Sequence, residues 1–152
     1  DLTLCSGRSF FIGNGASSSL ASHIALDLAK QVKIPTYTFS DPTLTSAYIN
    51  DYGDIASISR FMEDVTKNSD ILVAISVSGK SPNLLEAAKT ARLHKIPVIS
   101  FTGYGFKTDL AALSDINVSV DSKAYNIVES LHTIFLTAVV DMLKGESVYS
   151  VN

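Results

Sequence analysis

The sequence predicts an α/β fold, a doubly wound five-stranded parallel sheet flanked by helices, with flavodoxin-like strand order 2-1-3-4-5. Three observations predict it. Short apolar runs alternate with segments of helical periodicity along all 152 residues. The runs Ile71–Ile75 and Pro97–Phe101 are almost free of polar residues, as expected of strands covered on both faces. The two most Gly- and Ser-rich loops, Gly13–Ser19 and Ser76–Ser81, leave the first and third runs, which flank the reversal point of that strand order.

Arg8–Ile12 reads as the first strand and stops at Gly13-Asn14-Gly15. Ala16–Val32 carries Leu20, Ile24, Leu28 and Val32 at helical spacing. Pro35–Phe39 is the second strand, and Asp41-Pro42 caps and opens a short helix. Beyond Asn50–Gly53, Ile55, Ile58, Phe61, Met62 and Val65 mark another helix. Ile71–Ile75 is the third strand, and Ser81-Pro82-Asn83 starts a helix running to Leu93. Pro97–Phe101 is the fourth strand, Leu110–Leu113 a helical scrap and Ile116–Val120 the fifth strand. Ala124–Leu143 is a long helix, apolar around most of its circumference, which Gly145 ends.

Composition narrows the function. Residues 1–152 read as a single domain, and the opening Asp1-Leu2-Thr3 without Met predicts that an N-terminal helix is missing. Apolar residues make up 46% against 18% charged, with no uninterrupted apolar run near the ~18 residues of a membrane span. The apolar surplus, concentrated in the last helix, predicts a subunit interface and no membrane. Net charge is −3 with no basic stripe, which argues against direct nucleic-acid binding. The single cysteine, Cys5, excludes an internal disulfide and a thiolate metal cage and suits an inert thiol in the cytoplasm.

Ser76-Val77-Ser78-Gly79-Lys80-Ser81 joins a buried strand to a helix. Its hydroxyls and the N–H groups of the helix start can converge on an anion, which the helix dipole favours. The same composition also suits a Ser-rich capping turn with no ligand. The loop lacks Walker spacing, and Ser18 stands where a dinucleotide fingerprint needs its third Gly.

Taken together, Asp70 to Asn83 resembles the phosphosugar-binding signature of the SIS (sugar isomerase) domain family. Gly13-Asn14-Gly15-Ala16-Ser17 with His23, Asn50-Asp51-Tyr52-Gly53 and Glu129-Ser130-Leu131-His132 resemble its phosphoheptose isomerase branch. The resemblance implies a cytoplasmic homotetramer with sites at subunit contacts, acting on sedoheptulose 7-phosphate or a relative through an enediol. It implies that Asn14, Ser17, Asp51, Ser76, Ser78 and Ser81 bind substrate and phosphate. It assigns Asp27 and Glu129 to catalysis, and His23, Asp27 and Glu129 to a possible zinc ion. On residue type alone, His23 reads as a satisfied helix histidine.

The chain departs from the branch where chemistry is expected. Thr137 replaces a His that serves as ligand and acid, Gln31 an Arg, Asn126 an Asp and Val77 a Thr. Two readings follow: an aldose–ketose isomerase, or a non-catalytic tetrameric phosphosugar-sensing or protein-docking module of the replication-initiator-binding type. Asp27 favours the first and Thr137 the second. His132, about 140° around the helix from Thr137, is expected to make a packing or interface hydrogen bond.

Overall fold

A computed structural model describes residues 7–148, so Cys5 lies outside the described residues. The strands β1 (Ser9–Gly13), β2 (Thr36–Thr38), β3 (Ile71–Ser76), β4 (Val98–Thr102) and β5 (Ile116–Ser119) form one parallel sheet ordered β2-β1-β3-β4-β5. The predicted fold class and strand order are both observed. Around the sheet lie α1 (Ala16–Asp27), α2 (Pro42–Val65), α3 (Pro82–Leu93), the short α4 (Asp109–Ala112) and α5 (Tyr125–Lys144).

Alternation along the strands divides the core into two layers. Phe10, Ile12, Leu72, Ala74 and Val98 face α2 and α3, where Ile58, Met62, Leu84, Ala87 and Ala91 cover them. Phe11, Val73, Ile75 and Phe101 face the opposite way, onto Ile24 and Leu28 of the first helical segment and Leu136 and Val140 of α5. The unbroken apolar run of β3 is buried at every residue because both faces are covered.

Two helices differ from the sequence expectation. The predicted Ala16–Val32 helix is regular only to Asp27, and Leu28–Val32 widens into a π-helical turn that Lys33 ends at φ 64°. The span Pro42–Val65 contains the two predicted helices, broken at Gly53 with φ 77° and ψ 162°. The Tyr48 hydroxyl donates to Asp64 Oδ2 at 2.6 Å. Sixteen residues of straight helix would hold those groups about 24 Å apart, so the chain doubles back at Gly53. Contact with Asp64 pushes the Tyr48 pKa up to about 12.

In α5 only the stripe Val128, His132, Leu136 and Val140 is buried, while Ile127, Leu131, Ile134, Phe135 and Met142 are exposed. Among the described helices, α5 alone has the length and apolar character of a membrane span. Its buried stripe instead packs on the sheet. Gly145 ends it at φ 89°.

The amino edge of the sheet is held by one buried carboxylate. Asp70, 1% exposed, takes two bonds from the Arg8 guanidinium, at 3.1 and 2.7 Å, and accepts the Arg8 and Lys67 N–H groups. Arg8 also donates to the Val65 carbonyl at 2.7 Å and stacks over Tyr37. Burial would raise the Asp70 pKa, but the Arg8 and backbone hydrogen bonds outweigh it and the pKa is lowered. A carboxyl with a depressed folded-state pKa stabilises fully above its unfolded value of ~3.9 and loses that contribution as pH falls through the folded value. Asp70→Asn should therefore cost about 2 kcal/mol or more at pH 7, with the gap to the native chain narrowing below about pH 4. Urea unfolding at both pH values measures it, and equal stability at pH 7 would remove the clasp from the account.

Candidate functional site

The reversal of strand order between β1 and β3 opens a crevice at their carboxyl ends. Each strand turns there into a twelve-residue helix, β1 into α1 and β3 into α3. Both N-termini therefore point at one place, and neither cap residue, Gly15 or Ser81, closes its helix with a side-chain hydrogen bond. The Asn14 and Asn83 amides lock the two starts together, each donating to the other at 3.0 Å. Asn83 also accepts the Leu84 N–H at 3.0 Å.

The serine loop folds back on itself. Gly79 N–H donates to Ser76 Oγ at 3.1 Å, and Lys80 N–H to Ser78 Oγ at 3.3 Å. Ser76 and Ser81 hydroxyls are 3.5 Å apart. Gly79 sits at φ 63°, and a Cβ there would fall 2.5 Å from the Cβ and Oγ1 of Thr108. Its carbonyl accepts the Leu110 N–H at 3.0 Å. Only glycine combines that backbone angle with that contact.

A cavity of about 330 Å³ is lined by Asn14, Ser17, Ser76, Ser78 and Ser81 together with Tyr125 and Glu129 of α5. Hydroxyls, two helix N-termini and a carboxylate face one small space. Such a cradle suits an anion carried on a polar, hydroxyl-bearing body.

The remaining residues singled out from the sequence lie elsewhere. Asp51 is exposed in the bend before Gly53 and accepts the Asn50 side-chain amide at 2.9 Å. His23 and Asp27 do share a face of α1, but they pair with each other, Nε2 to Oδ2 at 3.1 Å, and do not line the serine cavity. Glu129 does. Among the described residues no three His, Cys, Asp or Glu side chains are grouped as metal ligands. His23, Asp27 and Glu129 therefore do not fit a zinc ion within one chain.

Thr137 donates to the Thr133 and Ile134 carbonyls of its own helix, at 2.9 and 3.1 Å. Gln31 lies in the π-helical turn, and Asn126 is exposed. His132 makes the expected packing bond, Nε2 to the Thr102 carbonyl at 3.1 Å. Facing a carbonyl, Nε2 must carry the proton, which leaves the buried Nδ1 without a partner among the described residues. Burial pushes the His132 pKa down, against the Thr102 bond that raises it.

Sequence reasoning missed Tyr125 and the bracing role of Asn83. Tyr125 stands four residues before Glu129, the i,i+4 spacing that puts both on one helix face. Asn83 belongs to a helix start and to the Asp70–Asn83 signature, and neither reveals its exchange with Asn14.

A doubly wound sheet with a serine-lined cradle at its reversal point is an α/β domain built to receive an anion, and comparison with known proteins gives its family. The SIS domain profile matches residues 4–103, and the chain belongs to that family. Within the family it is similar to phosphoheptose isomerases. It is 38% identical over 125 residues to that of Cytophaga hutchinsonii, covering 78% of this chain and 64% of the relative. It is 33% identical over 144 residues to that of Campylobacter concisus, covering 90% and 76%. The structure of the phosphoheptose isomerase from Neisseria gonorrhoeae superposes with a TM-score of 0.85 at 27% identity, covering 95% of this chain and 79% of that one. The chain thus spans just under two thirds of the length of the Cytophaga relative.

Proposed function

We propose that this chain is an aldose–ketose isomerase acting on sedoheptulose 7-phosphate or a closely related sugar phosphate. One observation carries the reading: the hydroxyls of Ser17, Ser76, Ser78 and Ser81 gather where two helices start, and Glu129 lines the same cavity. Ser78 and Ser81 bind the phosphate from the α3 side and Ser17 from the α1 side. Asn14 keeps both starts in register. Isomerisation moves one proton between neighbouring carbons through an enediol while the adjoining oxygens exchange another. Glu129 is the carboxylate placed to take the carbon-bound proton and return it to the neighbouring carbon. No step is assigned to a metal. Its single cysteine suits the reducing cytoplasm.

The His23–Asp27 pair and the inward-bonded Thr137 favour a second reading, a non-catalytic phosphosugar-binding module. One set of measurements separates the two. The isomerase reading expects turnover of sedoheptulose 7-phosphate, reduced about 10²–10⁴-fold in Glu129→Gln with binding retained. The combined change Ser78→Ala and Ser81→Ala should weaken binding by up to roughly 3–6 kcal/mol. Unchanged affinity in that double variant would put the ligand elsewhere. A silent native chain that still binds the sugar phosphate would establish the module.

The exposed apolar face of α5, the helix that also carries Tyr125 and Glu129 of the cavity lining, supports a homo-oligomer, of tetrameric order by family resemblance. Light scattering should give a mass above that of one chain at micromolar concentration. A stable monomer would contradict it.

A further inference from the structure

The serine cavity is lined by two chemically different sets of groups. One offers hydroxyls and helix N-termini, which suit a phosphate. The other offers the Tyr125 ring and the Glu129 carboxylate, one helical turn apart. Tyr125 is 51% exposed, yet it is braced. Its ring packs edge-to-face on Tyr104, centroids 6.5 Å apart at 83°. Tyr104 is itself held at φ 60°, a backbone angle that costs a non-glycine residue and persists only where neighbours enforce it.

Three contacts surround it. The Tyr104 N–H donates to the Ser122 carbonyl at 2.8 Å, the Gly103 N–H to the Val77 carbonyl of the serine loop at 2.8 Å, and Lys123 Nζ lies 5.9 Å from the Tyr104 ring centroid. The brace runs from the serine loop through Gly103 and Tyr104 to Tyr125, so the ring is positioned relative to that loop.

We propose that Tyr125 is a specificity-determining residue whose ring forms the wall along which the carbon chain of the sugar phosphate lies. The proposal rests on the phosphosugar reading above. A sugar chain presents C–H faces and hydroxyls, and an aromatic ring with a phenolic edge meets both. Inorganic phosphate has no carbon chain to lay along the ring.

Calorimetry with sedoheptulose 7-phosphate and with inorganic phosphate tests this on the native chain, Tyr125→Ala and Tyr125→Phe. Tyr125→Ala should weaken sugar phosphate binding about tenfold and leave inorganic phosphate within about twofold, which also reports that the variant is folded. Tyr125→Phe should retain sugar phosphate affinity within about threefold, because the ring makes the contact. Unchanged sugar phosphate affinity in Tyr125→Ala, or equal loss of both ligands, would overturn the proposal. If the native chain binds inorganic phosphate as tightly as the sugar phosphate, the proposal fails while the phosphate cradle stands. If it binds neither, the phosphosugar reading fails and takes the proposal with it.

Discussion

Two amides hold the site together. Asn14 at the end of β1 and Asn83 at the start of α3 exchange hydrogen bonds at 3.0 Å across the reversal point of the sheet. The groups of the cradle lie around that junction. Parallel pairing of Gly13 with Ile75 brings the two strand ends level, and each strand then feeds a helix whose first turn faces the same cavity. Two partial positive charges beside a cluster of hydroxyls make an anion site before any side-chain cation is needed. Lys80, the cation within the serine loop, is exposed.

Distance from that junction separates the well-formed part of the site from the rest. The serines sit on short loops fixed at both ends, and Gly79 is clamped between Ser76 and α4. Glu129 and Tyr125 arrive from α5, an element that presents one buried stripe to the sheet and an apolar face to its surroundings. His23 and Asp27 answer to each other rather than to the cavity. In a single chain, the groups proposed to grip phosphate line one cavity, and only one carboxylate joins them. That division suits a site whose sugar end lies at the edge of a subunit.

Much of this was legible in the sequence, for identifiable physical reasons. A strand covered on both faces has to be continuously apolar, so Ile71–Ile75 announced β3 and with it the parallel sheet. Gly and Ser where strands meet helices marked the crevice, because close backbone approach requires small residues. The i,i+4 spacing of His23 and Asp27 correctly put them on one face, but spacing cannot say whether two groups face a ligand or satisfy each other. The doubling back at Gly53 depends on Tyr48 reaching Asp64, a contact between residues sixteen apart that local periodicity does not carry. Tyr125 escaped notice because its importance comes from Tyr104, on the loop after β4, a contact that local periodicity does not carry.

The most direct test of the account is a crystal structure of the protein soaked with sedoheptulose 7-phosphate. Its phosphate oxygens are expected within hydrogen-bond reach, about 2.7–3.2 Å, of the Ser78 and Ser81 hydroxyls at the start of α3, with the sugar directed toward Glu129. A phosphate found instead in the neighbouring cavity bounded by Ser18, Thr45 and Asp54, on the other side of Asn14, would contradict it.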